Sequence, residues 1–265
     1  MPSFTEAQLD AHEAMLVENV FQTSKWPHFD LLFRDIRRHA GELPPGATVV
    51  SLERGLLYGG VSLVAPFFHA QNFISVDCSP ESADERGGYN AGQIDDPRTL
   101  RVPTTRRAPI EATGLEADQA DLVLVPNLVH HVADQRALFS EMARIARPGG
   151  SVYVFEALLR ELHQIPDDYL RYTPFGIQKV LVEAGLECDD YEVEGGPFSA
   201  IGYCWVQALQ YFPEPRRSEM ERWFFEEHWP DLQKWEEAHR ENLVRKHTAF
   251  PVSFSVVARK PEANS

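Results

Sequence analysis

Short apolar runs that alternate with amphipathic stretches, from residue 47 onward, constrain the fold of this chain most strongly. The runs at 47–52, 72–77, 121–126 and 151–155 are rich in β-branched residues, which is typical of strands. Between them, Asp134 can cap one helix, and Thr173 with Pro174 can begin another that Gly185 ends. Strands that are apolar on both faces and separated by helices indicate an α/β fold with a mostly parallel sheet.

Three regions lie outside this alternation. Residues 1–44 predict two helices, the first with capping-box spacing between Thr5 and Gln8. Residues 80–110 are rich in glycine and proline and predict a long loop with at most one strand, at 100–102. Residues 196–246 are helical in composition, and 254–259 return to strand character.

Charge and composition exclude several classes of function. The chain has 25 Lys and Arg against 40 Asp and Glu, a net charge of −15, which repels nucleic acids and anionic membranes. No apolar run approaches the roughly 18 residues of a membrane-spanning helix, and the first residues do not resemble a signal peptide. A cytoplasmic protein without nucleic-acid or membrane partners is expected. Cys78, Cys188 and Cys204 have neither disulfide nor metal-site spacing, so no metal is predicted.

One segment carries a family resemblance. Residues 121–156 read DLVLVPNLVHHVADQRALFSEMARIARPGGSVYVFE, which strongly resembles a strand, helix and strand of class I S-adenosylmethionine-dependent methyltransferases. The later stretches RYTPFG, VEAG and FSVVARK resemble the same family's next helix and final strand. The resemblance spans about residues 47–260. It implies S-adenosylmethionine as the cofactor and a Rossmann-like, doubly wound sheet of seven strands with a reversed last strand.

With this fold, the predicted organisation has four parts. N-terminal helices occupy 1–44, and a Rossmann-like cofactor domain occupies 45–195. A helical insertion at 196–250 would cap the substrate side, and 251–265 form the final strand and tail.

The first predicted strand leads into an altered cofactor loop. The family places an acidic residue there, followed by G-x-G-x-G, whereas this chain reads VVSLERGLLYGG over 49–60. The resemblance assigns Glu53, Arg54 and Gly55 to the cofactor site, with bulk at Arg54 and Tyr58. Two interpretations stay open: either Arg54 or Tyr58 contacts the cofactor's carboxylate in a remodelled site, or cofactor binding has been lost.

Further cofactor residues are predicted at other strand ends. Asp77 lies after a strand at the spacing of a ribose-binding carboxylate, although Asp-Cys-Ser-Pro is also ordinary turn chemistry. Cys78 follows it in the same predicted site. The resemblance places Glu111 where an acidic residue holds the adenine amine, and Asn127 lines the cleft.

His163 is the predicted catalytic base, because it follows the last parallel strand and a histidine can accept a proton at neutral pH. Asp167 or Asp168 could orient it. The alternative is that His163 packs a loop while Arg171 pairs with Asp168.

Three other groups have open interpretations. His130 and His131 are adjacent, so one is expected to face the cofactor cleft while the other covers the following helix, and the resemblance implies mainly structural or shaping roles for the pair. Arg101, Arg106 and Arg107 could bind an anionic acceptor or lie in a solvated loop. Trp223, Trp229 and Trp235 could stack on a sugar or ring substrate, form a dimer interface or pack against the sheet.

The sequence thus predicts a methyltransferase that modifies an oxygen or nitrogen of a small molecule or glycan, with an anionic acceptor and a homodimer as further options. The alternative is a catalytically inactive, methyltransferase-like binding or scaffolding partner in a biosynthetic pathway. A nicotinamide-dependent dehydrogenase is a weaker third hypothesis, since the first turn lacks its glycines.

Overall fold

The computed structural model describes residues 2–21, 29–54, 60–78, 96–162, 164–241 and 250–262. The strands in these ranges are β1 (Thr48–Glu53), β2 (Val61–Ser62), β3 (Asn72–Asp77), β4 (Val102–Pro103), β5 (Arg106–Arg107), β6 (Ala120–Pro126), β7 (Ala146–Ala157), β8 (Glu187–Glu194) and β9 (Ser253–Arg259). The α-helices are α1 (Glu6–Met15), α2 (Asp30–Glu42), α3 (Gln135–Ile145), α4 (Pro174–Glu183), α5 (Pro197–Leu209), α6 (Arg216–Arg222) and α7 (Trp229–Glu241).

Seven of these strands form one sheet in the order β5-β3-β1-β6-β7-β9-β8. The pairs β5–β3, β3–β1, β1–β6 and β6–β7 are parallel, whereas β9 runs antiparallel to both β7 and β8. The predicted seven-stranded α/β sheet with a reversed last strand is therefore confirmed. The parallel strands bring their carboxyl ends to one edge, where ligands bind in such folds.

Helices cover both faces of the sheet, which explains why its central strands are apolar throughout. On β7, Val152 and Val154 face a core formed with α3 and α4, while Tyr153 and Phe155 face the core formed with α1 and α2. Successive side chains of a strand point to opposite faces, so each buried strand serves both cores.

A buried polar network joins α2 to the sheet. The carboxylate of Asp35 accepts hydrogen bonds from the hydroxyls of Tyr153 and Ser255, both at 2.9 Å, and pairs with Arg38 at 2.8 Å. Because a buried carboxylate is costly unless it is paired and hydrogen-bonded, these contacts fix α2 in one position on the sheet.

Helix α1 is fixed close to the chain segments that flank the sheet's carboxyl edge. Thr5 caps it with the predicted capping box. His12 is buried; its Nε2 donates to the carbonyl of Leu63 at 3.0 Å, and its Nδ1 accepts from the amide of Leu100 at 3.2 Å. Burial is the main reason that the pKa of His12 is lowered, so the neutral ring bridges these two segments.

The helices α5 to α7 lie within the predicted insertion at 196–250. Tyr203 of α5 donates its hydroxyl hydrogen to the Glu161 carboxylate and accepts from the Glu161 amide at 3.3 Å. Glu161 follows β7, so α5 packs beside the carboxyl end of that strand. The division into four parts stays a prediction.

Some element boundaries differ from those predicted. Strand β7 begins at Ala146 instead of residue 151, because the chain enters the sheet as soon as α3 ends at Ile145. In this early part of β7, Gly149 has φ of 74° and its amide donates to the carbonyl of Lys260 at 2.9 Å. The strand predicted at 100–102 is the two-residue β4. No helix in the described ranges is both long and apolar enough to cross a bilayer.

Candidate functional site

A cavity of about 490 Å³ lies at the carboxyl ends of β1, β3 and β6. Its walls come from the residues after these strands, from residues 107–111 and from the segment after β7. Ile110 and Val132 give it apolar surface, and both are buried or nearly so. A cavity of this size with a few converging polar groups is typical of a small-molecule site.

Two buried carboxyl groups end neighbouring strands at this edge. Glu53 of β1 and Asp77 of β3 are register partners. Asp77 lines the cavity, and its Oδ2 accepts a hydrogen bond from the Gly60 amide at 2.7 Å. Glu53 accepts from the Ser62 hydroxyl at 2.8 Å, and burial raises the pKa of Glu53 to about 7. Glu53 thus lies below the cavity, whereas Asp77 is part of its wall.

Glu111 and Cys78 supply two further polar positions. The Glu111 carboxylate lines the cavity and has no hydrogen-bond or ion-pair partner within the described part of the chain. Burial is the main reason that the pKa of the Cys78 thiol is raised to about 12. Cys78 therefore stays protonated at neutral pH and serves as a wall residue and not as a nucleophile.

An ion pair crosses from β1 to the segment after β7. Nη2 of Arg54 donates to Asp167 Oδ2 at 2.8 Å, and Nη1 of Arg54 lies 3.4 Å from the carbonyl oxygen of His131. The hydroxyl of Tyr169 donates to the other oxygen of Asp167 at 2.9 Å. These donors, Arg54 first, hold the pKa of Asp167 below its usual value, so its carboxylate is charged at neutral pH.

The turn after β6 is held by the end of β7 and by the segment that follows β7. His131 lines the cavity, and its Nδ1 donates to the carbonyl of Asp167 at 2.5 Å, because a carbonyl can only accept. The neighbouring His130 is buried, with Nδ1 2.6 Å from Glu156 Oε2. Asn127 begins the turn at φ of 58°, and its Oδ1 accepts from the Ala157 amide at 3.3 Å.

A comparison with protein families finds a match to the region that contains the cavity. Residues 53–154 match the model of a family described as a methyltransferase domain. The match starts at the last residue of β1 and ends within β7, so it contains most of the cavity wall. This part of the chain is therefore similar to a methyltransferase domain. No curated protein matches the sequence.

Solved structures share the methyltransferase fold at low identity. A candidate methyltransferase from Bacillus halodurans C-125 has a TM-score of 0.50 and 14% identity, over 86% of this chain and 98% of that one. The 4+2 cyclase SpnF has a TM-score of 0.51 and 15% identity, over 99% of both chains. The phosphoethanolamine N-methyltransferase 2 of Haemonchus contortus has a TM-score of 0.49 and 16% identity, over 97% of this chain; the chain spans 58% of that protein.

The cavity at the carboxyl edge of the sheet collects several of the residues predicted from the sequence. Four of them line it: Arg54, Asp77, Cys78 and Glu111. Glu53 and Asn127 lie at the same edge and make the internal contacts given above, while Gly55 and His163 lie outside the described residues. The two carboxylates suggested as partners of His163 have arginine partners: Asp167 pairs with Arg54, and Asp168 pairs with Arg171.

Two further wall residues are Tyr169 and His131. The sequence does not predict Tyr169, whereas it predicts that one of His130 and His131 faces the cleft, and His131 lines the cavity. Glu156, which holds His130, was also missed. A signal for Glu156 exists in the sequence: it is a carboxylate near the carboxyl end of a buried strand, the same position that singled out Asp77.

The three arginines predicted as a basic cluster have different environments. Arg107 lines the cavity, and its Nε is 4.0 Å from Asp77 Oδ2. Arg106 instead donates to the carbonyl of Thr113 at 2.7 Å, and Arg101 is exposed. The described residues contain no group of three or more His, Cys, Asp or Glu that could hold a metal ion.

Proposed function

We propose that this chain binds S-adenosylmethionine and transfers its methyl group to an oxygen or nitrogen of a small molecule or glycan. The observation that carries this proposal is the meeting of Asp77 and Glu111 in one cavity at the carboxyl edge of a methyltransferase fold. Fold alone does not set the reaction, so the proposal depends on these side chains.

The side chains fit the adenosine part of the cofactor. A ribose diol offers two hydroxyl donors, and the Asp77 carboxylate has two acceptor oxygens. The exocyclic amine of adenine needs an acceptor, and Glu111 lines the cavity without a partner in the described part of the chain. Ile110 and Val132 supply apolar surface suited to the purine ring.

The chain's own contribution would be position and exclusion of water. When bound, S-adenosylmethionine supplies a methyl group on an already activated leaving group, which favours an in-line displacement. The walls around the cavity then have to hold the acceptor in line and keep water out. The internal contacts of Asp167, His131 and Tyr169 make one such wall rigid.

The remaining site residues are proposed with supporting roles. Glu53 and Asn127 support the strand ends, Cys78 packs beside Asp77, and Gly55, which lies outside the described residues, is proposed as a cofactor residue because it directly follows Arg54 in the sequence. His163 stays the proposed base for an acceptor that must lose a proton, since Asp167 and Tyr169, which follow it closely, line the cavity.

The acceptor class follows from the charge of the wall. Arg107 is a cavity residue with about a third of its side chain exposed, so it can bind an anionic group of the acceptor. We propose a small anionic molecule or sugar acid, a cytoplasmic location and no nucleic-acid partner, consistent with the net charge of −15. A homodimer is also proposed, because Trp223 and Trp235 are exposed.

Calorimetric titration with S-adenosylmethionine and S-adenosylhomocysteine tests the proposal. We expect both to bind, and we expect S-inosylhomocysteine, which has a carbonyl in place of the amine, to bind more weakly. Glu111→Ala should weaken S-adenosylhomocysteine binding by about 10- to 100-fold, the worth of a hydrogen bond to a charged group, and should abolish the preference over the inosine analogue. His163→Ala should bind S-adenosylhomocysteine as the wild type does and lose turnover.

Glu237→Gln, on the exposed side of α7, serves as the control and should bind like the wild type. A folded wild-type protein that binds neither adenosine compound would overturn the proposal and favour the non-catalytic binding partner. An unchanged preference in Glu111→Ala would remove Glu111 from adenine recognition.

A further inference from the structure

Arg54 and Asp167 form an ion pair of opposite charges on the wall of the cavity. Arg54 is the first residue after β1, and Asp167 belongs to the segment after β7, 113 residues later. Both line the cavity. Arg54 is only 11% exposed, whereas Asp167 is 34% exposed, so one partner is anchored and the other borders solvent.

Each partner has unused bonding capacity. The guanidinium has five N–H donors, and its contacts in the described part of the chain are to Asp167 and to the carbonyl of His131. The Asp167 carboxylate has about four acceptor positions, of which Arg54 and Tyr169 occupy two. A second anion can therefore bind Arg54, and a cation can bind Asp167, without breaking the pair.

A ligand that matches such a pair carries an anion and a cation close together. An α-amino acid does so, because its carboxylate and its ammonium are attached to the same carbon. Placed against Arg54 and Asp167, the two ligand charges would complete an alternating set of four with no net charge. Such charge-assisted hydrogen bonds are strong. Because the four charges sum to zero, the free-energy cost of burying them in part is limited.

We infer that Arg54 and Asp167 are specificity-determining residues that clamp the amino-acid end of the cofactor, Arg54 through the carboxylate and Asp167 through the ammonium. This inference rests on the proposed function. It explains why bulk at Arg54 is compatible with a methyltransferase site. The side chain is held along the wall by Asp167 and His131 and supplies contacts that a glycine cannot.

Three ligands separate the two halves of the clamp. S-adenosylhomocysteine carries both charges, its decarboxylated analogue keeps only the ammonium, and 5′-methylthioadenosine has neither. Calorimetry should show that Arg54→Gln weakens the binding of S-adenosylhomocysteine by about 10- to 100-fold. The affinities for the other two ligands should stay unchanged. Asp167→Asn should weaken the binding of both ligands that carry the ammonium and leave the affinity for 5′-methylthioadenosine unchanged. Arg54→Lys, which keeps the charge, should recover part of the loss.

Arg147→Gln is the matched control, because Arg147 pairs with Asp121 at the opposite end of the strands. It should bind all three ligands like the wild type. Circular dichroism checks that Arg54→Gln and Asp167→Asn are folded. The clamp is overturned if these folded variants lose as much affinity for 5′-methylthioadenosine as for S-adenosylhomocysteine, because the pair would then only shape the wall. A wild type that binds none of the ligands would overturn the proposed function as well, whereas failure of the clamp alone leaves wild-type binding intact.

Discussion

Glu53 carries an acidic group into the interior at the end of β1. Burial favours its neutral form and is the largest cause of the raised pKa of about 7. The hydrogen bond from Ser62 opposes this shift, and the neighbouring charge of Asp77 adds to it. The strand therefore ends with one carboxyl group that titrates near neutral pH beside another that lines the cavity.

Replacing Glu53 with Gln should change how stability depends on pH. Between pH 4.5 and about 7 the unfolded chain has released the Glu53 proton while the folded protein keeps it, so the wild type loses stability as pH rises and reaches a plateau above 7. Glutamine has no such proton. The unfolding free energy of Glu53→Gln, relative to wild type, should rise across this range by up to about 3 kcal/mol.

Urea denaturation at a series of pH values measures this difference, with the exposed Glu237→Gln as the control that should run parallel to wild type. A Glu53→Gln curve that is also parallel to wild type would show that folding does not raise the pKa of Glu53.

For single residues, the sequence predicts which side chains end the strands but not which residues they pair with. Asp77 and Arg54 could be placed because a polar residue after an apolar run must lie at the carboxyl edge. The pairing of Arg54 with Asp167 spans 113 residues, and no local pattern encodes such a contact. Nor could the sequence show that Glu53 points to Ser62 while Asp77 faces the cavity, because both simply end apolar strands.

At the level of elements, the packing of α5 on α7 depends on one glycine. A Cβ built on Gly202 would lie 2.2 Å from Cζ3 of Trp229, a contact that cannot occur without movement of the ring or of the helix. Trp229 is buried, and its ring lies against Gly202 of α5. Trp223 and Trp235 remain exposed.

Gly202→Ala should therefore destabilise the protein although alanine is the better helix former. We expect a loss of about 1–3 kcal/mol, the usual cost of overpacking, in equilibrium urea denaturation. Gly41→Ala in α2 is the matched control: nothing lies within 4 Å of its added Cβ, so it should be neutral or stabilise by up to about 1 kcal/mol. Equal effects of the two substitutions would show that α5 and α7 do not pack as described.

Strands and helices could be predicted where their burial requires apolar residues at regular positions. The central strands and the helices α3 and α4 carry the apolar periodicity of buried elements, and they were predicted. Strand β8 was not, because its sequence ECDDYEVE is polar and acidic. It is an edge strand held by backbone pairing with β9, so none of its side chains is fully buried and it needs no apolar pattern.

For the whole molecule, the net charge of −15 acts on any charged ligand that approaches. S-adenosylmethionine carries a sulfonium in addition to its zwitterionic amino acid and is a net cation. S-adenosylhomocysteine has lost the sulfonium charge and is neutral overall. An acidic protein should therefore attract the first ligand from a distance and release the second without that electrostatic cost.

Binding of S-adenosylmethionine should accordingly weaken with salt more steeply than binding of S-adenosylhomocysteine. Raising the ionic strength from about 0.01 M to about 1 M shortens the Debye length from about 30 Å to about 3 Å and removes the long-range attraction. Contacts to the clamp of Arg54 and Asp167 are common to both ligands and cancel in the comparison. Calorimetry at several salt concentrations measures the two slopes, and equal slopes would show that the surface charge contributes nothing to the choice between substrate and product.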